Sequence, residues 1–334
     1  MKRTFPKISN LALAFLLAGF SALHPVTALG AAEDVGSYPS RAITIVVGYP
    51  SGGATDIIAR LVAIKLGQAW GKPVIVENKA GAGSNIATEQ VVRADPDGYT
   101  LLVQTIANAT NMSVYKNLKY DTQKDLAPIV QFMSSASVLV VNPDVPAKNL
   151  KELIALAKAK PGKLDYVSSG VGGSPHLAGE MFKSRAGIDI VHIPYKGAAP
   201  ALNDVLSGHA SMGFMTSLGV LGHMQSGRLR PIAVASPKRL SELPDVPTMA
   251  EAGLPNFHVL SWNGLAAPVN TPRPIVDKLN KEVNRILNMP DVKKQMQALG
   301  AEPGGGTSDD FSNYVNAEIK KWAAVVKTAG FSLD

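Results

Sequence analysis

A chain of 334 residues is too long for one typical domain and suits two lobes of moderate size. Apolar residues make up 46% and charged residues 18%, which supports a sizeable core and excludes a disordered chain. The lack of cysteine excludes disulfides, thiolate catalysis and cysteine metal sites, and an aromatic share of 6% argues against a nucleic-acid surface of stacked rings.

The N-terminus reads as a secretory signal, residues 1–32. Lys2, Arg3 and Lys7 form a positive n-region, and Leu11 to Leu23 is apolar apart from Gly19 and Ser21. The small residues Ala28, Gly30, Ala31 and Ala32 follow, so cleavage after Gly30 or after Ala32 fits. The apolar run is shorter than the ~20 residues that a membrane span needs. No cysteine follows it to carry a lipid. Cleavage removes three of the formal +7 charges, and the remaining excess is scattered, which mildly favours anionic ligands.

Strand and helix patterns then alternate. Ala42 to Val47 is an apolar β-rich run, and Thr55 to Leu66 has helical spacing through Ile57, Ile58, Leu61, Val62 and Leu66. Val74 to Val76 reads as a strand, Asn85 to Arg93 as a helix and Tyr99 to Gln104 as a strand. Ser137 to Val141 is a strand broken by NPDVPAKN, and Leu150 to Lys160 is a helix ended by Pro161-Gly162. Strands at Leu164 to Val167, Ile190 to Ile193 and Leu229 to Ala235 frame helices at His176 to Ser184 and Ala199 to Leu206. Pro237 to Pro255 has little periodicity. Two amphipathic helices close the chain, about Pro274 to Leu287 and Asp309 to Lys327. The alternation predicts an α/β protein with mostly parallel sheets covered by helices on both faces.

One internal similarity stands out. ITIVVGYPSGGATDIIAR…VIVENKAGAGSN and LDYVSSGVGGSPHLAGEMF…IVHIPYKGAAPALN share the order strand, Gly-Gly turn, helix, strand, lysine. Gly52-Gly53 corresponds to Gly172-Gly173, and Lys79 to Lys196. In open α/β sheets ligands sit at the carboxyl ends of the strands. Two such lobes facing each other would line a cleft with helix N-termini, whose unpaired N–H groups and partial positive charge suit an anion. Gly81-Ala82-Gly83-Ser84-Asn85 is a third turn of this kind.

Some residues keep two readings. Asp56 either binds the amino group of an amino-acid ligand or pairs with Arg60 one turn on. Trp262 is a core ring or a cleft wall, and Met212, Phe214 and Met215 line the core or the cleft. No complete G-x-S-x-G, Walker A loop or H-E-x-x-H is present, and the six histidines show no metal-ligand spacing.

The passages YPSGGATDIIAR, VENKAGAGSNIA, ADPDGYTLL, SSGVGGSPHLAGEMF, HIPYKGAAPALNDVLSGH, GRLRPIAVASPKRLSELPDVPTMAEAGLP and WNGLAAPVNTP resemble the Bug-type receptors. These are the periplasmic solute-binding proteins of tripartite tricarboxylate transporters, and the resemblance runs over nearly the whole mature chain. It implies a periplasmic, two-lobed Venus-flytrap fold, type II-like, with two strands crossing between lobes. One lobe would comprise residues 37–137 with 238–334, and the other residues 138–237.

The resemblance also implies a carboxylate held through backbone, hydroxyls and water. Its ligand residues would be Tyr49, Ser51, Gly53, Thr55 and Asp56 on the first loop, Ser84 and Asn85 on the second, and Thr105, Ala107 and Asn108 on the third. The other lobe would add Ser168, Ser169, Ser174, His176, Tyr195, Lys196, Thr216 and Ser217. The expected partners are a small organic acid or acidic amino acid and the transporter's membrane subunits. No nucleic acid, cofactor or metal is expected, and the protein should be a monomer.

Tyr49 and Ser51 stand where the family more often has Phe and Pro, and residues 104–111 are atypical. Citrate, an amino acid and an aromatic acid therefore all stay open as ligands, with the Ser51 hydroxyl hinting at a second carboxylate. Two other readings stand beside transport. One is a sensing receptor for a signalling partner, and the other is an exported hydrolase or transferase using Ser168 or Ser174 with His176.

Overall fold

The computed structural model describes Met1, residues 36–298 and residues 300–330. The expected signal peptide lies outside them except for Met1. From residue 43 the expected alternation appears as β1 (Ile43–Val47), α1 (Ala54–Trp70), β2 (Val74–Asn78), α2 (Asn85–Val92) and β3 (Thr100–Thr105). Next come α3 (Ile106–Val114), the single turn α4 (Thr122–Asp125) and the 16-residue β4 (Leu126–Val141). The middle is α5 (Leu150–Ala159), β5 (Asp165–Ser168), α6 (Ser174–Ala186), β6 (Val191–Pro194), α7 (Ala198–Leu206), β7 (Met212–Thr216), α8 (Ser217–Gln225) and β8 (Arg230–Val234). The chain closes with β9 (Leu260–Pro268), α9 (Arg273–Leu287), α10 (Pro290–Ala298), β10 (Glu302–Gly305) and α11 (Ser308–Ala329).

The long strand β4 organises the rest. Its first part, Leu126 to Ala136, pairs antiparallel with β9 and carries β10 on its other edge. β9 in turn lies antiparallel to β3, and β3, β1 and β2 are parallel. The remaining residues of β4, Ser137 to Val141, pair antiparallel with β7 and β8, and β7, β5 and β6 are parallel. One strand therefore runs through two sheets. Parallel pairing holds within each βαβ part, as read from the sequence, and gives way to antiparallel pairing where β4 and β9 run between the halves.

Each half has its own core. In the first, Ile43, Ile45 and Val47 pack against Ile58, Val62 and Leu66 of α1 and Ile275, Leu279, Val283 and Ile286 of α9. The three- and four-residue spacing on α9 puts those side chains on one stripe, and each full burial contributes about 1.5–3 kcal/mol. In the second, Val138, Val140 and Val167 pack against Ala201, Val205 and Val220. A further cluster joins the halves: Ile106 and Ala109 of α3, Phe182 of α6, Phe214 of β7, Trp262 of β9, and Phe311 and Trp322 of α11. α11 thus spans both halves. Trp262 is a core ring, edge-on to Phe311 and Tyr314, and Met212 and Phe214 are core as well.

Residues 238–259 ride on the second sheet. Met249 N–H donates to Val234 O at 2.8 Å, and Phe257 stacks on Phe214 with ring centroids 5.7 Å apart. The chain pairs with the first sheet again at β9.

Candidate ligand-binding site

The loops that follow β1, β2 and β3 leave the same end of the first sheet, because those strands are parallel. Ser51, Gly52 and Gly53 are exposed on the first loop, and the Tyr49 ring and Thr55 are half-buried beside them. Tyr49 OH lies 3.3 Å from Thr105 Oγ1, and Thr55 Oγ1 donates to Asn263 Oδ1 at 3.5 Å. Gly52 sits at φ +83°, in the left-handed region that favours glycine. Gly53 is the N-cap of α1 and no side chain caps it. The first-turn N–H groups therefore face the loop without a protein side-chain acceptor.

Asp56 holds this loop from behind. Its carboxylate is buried and accepts from Gly52 N–H at 2.8 Å, Arg60 Nε at 2.9 Å and Asn78 Nδ2 at 2.9 Å. Asn78 also donates to Tyr49 O at 3.0 Å. Burial pushes the Asp56 pKa up, but Arg60, the Gly52 N–H and Asn78 outweigh it and leave the pKa below the usual carboxylate value. The i,i+4 pair with Arg60 is thus present, and the acid is committed to the loop.

The second and third loops are tied to α3. Ser84 is buried with φ +77°, and its Oγ has no hydrogen-bond partner. Asn85 Oδ1 accepts from Asn111 Nδ2 at 2.7 Å and Tyr120 OH at 2.6 Å. Asn108 Oδ1 accepts from Thr105 N–H at 2.8 Å, and its Nδ2 donates to Thr88 Oγ1 at 2.7 Å. Ala107 is buried between them in the chain. These residues shape the loops, and two meet the first loop directly: Thr105 through Tyr49, and Ser84 packed against Gly48.

The second half repeats the first-loop device. Gly172 has φ +81°, and Gly173 caps α6 with φ −76° and ψ 165°, close to the −78° and 167° of Gly53. No side chain caps α6 either. His176 takes the place of Asp56, its Nδ1 accepting from Gly172 N–H at 3.1 Å. The lysine correspondence shifts by one residue. Lys79 N–H donates to Val47 O at 2.8 Å, and the matching bond runs from Tyr195 N–H to Ser168 O at 3.0 Å.

Ser168 is buried, with its Oγ 2.7 Å from His192 Nε2. His192 stacks on His176 with centroids 4.2 Å apart and on Tyr166 at 4.8 Å. Burial and its neighbours His192 and Lys183 push the His176 pKa down to about 3. Burial, with Lys183 adding to it and Glu180 opposing, pushes His192 to about 4. Ser169 is half-buried, Ser174 is buried in the first turn of α6, and Lys196 is exposed. Tyr195 OH donates to Asp204, which pushes the phenol pKa up to about 12. Thr216 is half-buried at the start of α8, and Ser217 is buried, its Oγ 3.1 Å from Ser135 Oγ and 3.1 Å from Gly300 O.

The two sets of loops meet across α3. Thr110 Oγ1 donates to Gly172 O at 3.0 Å, and Asn111 Nδ2 donates to Gly83 O at 2.8 Å. Consecutive residues of one helix thus touch the second loop of one half and the glycine turn of the other. Thr110, Asn111, Asn78, Asn263 and His192 are missing from the expected set. Asn78 becomes visible only through the parallel register that sets it opposite Val47.

Each of the two α/β halves thus carries a left-handed glycine and a helix start without a side-chain cap, a pairing that suits a receptor for an anionic solute. The family model described as "Tripartite tricarboxylate transporter family receptor" matches residues 58–331. Protein BugT of Bordetella pertussis is 36% identical over 320 residues, covering 95% of this chain and 98% of that protein. Among solved structures, R. palustris Rpa4515 with adipate has a TM-score of 0.83 at 35% identity, covering 88% of this chain and 99% of that one. MatC from Rhodopseudomonas palustris with bound malate has a TM-score of 0.80 at 31% identity, covering 86% and 100%. The chain belongs to the receptor family of tripartite tricarboxylate transporters.

Proposed function

We propose that this chain is an exported periplasmic receptor that closes on a small organic acid and presents it to the membrane subunits of a tripartite transporter. The observation that carries this reading is the duplicated device: α1 and α6 each begin at an uncapped glycine behind a left-handed glycine. Each open helix end offers an anion about 0.3–1 kcal/mol when exposed and up to about 2 when partly buried. Micromolar affinity needs about 8 kcal/mol, so hydroxyls must add to it. We assign that part to Ser51 and Thr55 in one half and to Ser169, Ser174 and Thr216 in the other, with Lys196 as an exposed cation. Asp56, Asn85, Asn108 and His176 act behind them by fixing loop shape.

The closing halves are residues 37–137 with the chain from β9 onward, and residues 138–237 with the segment 238–259 that rides on them. The receptor acts as a monomer. Adipate and malate, seen in two relatives, make dicarboxylates the first class to try. A thermal-shift screen over di- and tricarboxylates, aromatic acids and acidic amino acids should find at least one that raises Tm in a dose-dependent way. No response across these classes would contradict the reading.

The Ser168–His192 contact bears on hydrolysis. Ser168 also bonds Gly170 within its own turn, and Glu180, the nearby acid, is engaged by Tyr166 OH at 2.7 Å and Lys183 at 3.2 Å. A serine held in that way, beside a Glu180 already engaged, is better suited to shaping the turn than to attacking an ester.

A further inference from the structure

Thr110 sits in the second turn of α3, buried, with two carbonyls within reach of one hydroxyl. Its Oγ1 is 3.2 Å from Ala107 O in its own helix and 3.0 Å from Gly172 O in the other half. A threonine hydroxyl has a single proton, so it serves one carbonyl fully at a time. Gly172 is the glycine that shapes the second wall of the cleft, and its N–H is already held by His176. Its carbonyl is bonded by Thr110 across the two halves. The same turn packs flat on α3: a Cβ on Gly172 would lie 3.4 Å from Asn111 Oδ1.

We propose that Thr110 is a positioning residue that latches the two halves in the closed form, its hydroxyl proton moving from Ala107 O to Gly172 O as the cleft shuts. The latch deepens the receptor reading and rests on it. In the open form the hydroxyl falls back on its own helix, so opening strands no buried donor, and the Gly172 carbonyl is hydrated. The latch therefore biases closure without locking it. It couples the third loop of one half to the glycine turn of the other, and it touches no ligand.

The test needs no ligand. The chain has no cysteine, so Gln68→Cys on α1 and Asn203→Cys on α7 give two exposed and unique labelling points, one on each half. Electron–electron distance measurements on the spin-labelled exported protein read the open and closed populations. Thr110→Val, nearly isosteric but without the hydroxyl, should raise the open-to-closed ratio roughly two- to ten-fold, the net worth of one hydrogen bond. Thr110→Ser should keep the wild-type distribution.

An unchanged distribution in Thr110→Val overturns the latch, and so does equal opening in Thr110→Ser, which would point to packing of the methyl group. Should Thr110→Val fail to fold by circular dichroism, Thr110→Ala carries the same comparison. A protein that ignores every acid in the screen would sink the receptor reading and leave this distance result standing. An unchanged distance would sink the latch alone.

Discussion

His176 and His192 are the histidines whose chemistry the fold changes strongly. Both are held neutral in the fold, with pKa values pushed down to about 3 and about 4. An unfolded histidine titrates near 6.5, so below that pH the unfolded chain takes up protons that the folded chain refuses. Their stabilisation is fully present above about pH 6.5 and is lost as pH falls toward 4. Two such groups lower stability by about 2 kcal/mol between pH 7 and 5.5, before carboxylates begin to titrate. Urea unfolding across that range should show the fall, and His176→Gln should remove about half of it. At this scale the sequence was partly legible. The spacing of Asp56 and Arg60 offered their ion pair as one of two readings, whereas the His176–His192 stack depends on α6 lying over β6, which no spacing reveals.

Helix α11 packs against α3, α6, α9 and β4, and Glu318 fixes it. The Glu318 Oε2 accepts from Trp262 Nε1 at 3.2 Å and Trp322 Nε1 at 2.8 Å, while Lys321 donates to Oε1 at 2.9 Å. Glu318→Ala leaves two buried indole N–H groups without an acceptor and should destabilise by about 2–4 kcal/mol in urea unfolding. Glu318→Gln keeps an acceptor and should lose less. The long amphipathic helices α9 and α11 were legible because their apolar stripes repeat every three or four residues.

Other elements were hidden for physical reasons. α3, IANATNMSV, is rich in Asn, Thr and Ser, which favour caps and turns over helix interiors, and it is held by the polar network it joins. β4 carries Pro128 near its start and a serine pair at its middle, with register shifts near Pro128 and Gln131. β9 contains Gly264, where a Cβ would meet Phe311 at 2.2 Å and Val130 O at 2.7 Å, so the strand is small there to admit α11. α8 has two glycines in nine residues.

For the molecule as a whole, two half-proteins are joined by a strand common to both sheets and a helix packed in the cluster between them. On the proposed reading, a ligand held by both halves would shift the balance toward closure. The Gly-Gly repeat in the sequence announced the paired turns before α1 and α6. The cross-contact through α3 did not show, because it joins residues 62 positions apart. A crystal structure of the protein with a bound acid tests the central claim most directly. The account predicts carboxylate oxygens within hydrogen-bond distance of the first-turn N–H groups of both α1 and α6, with Ser51 or Thr55 on one side and Ser169 or Thr216 on the other. An acid bound away from those two helix ends, or touching only one half, would contradict it.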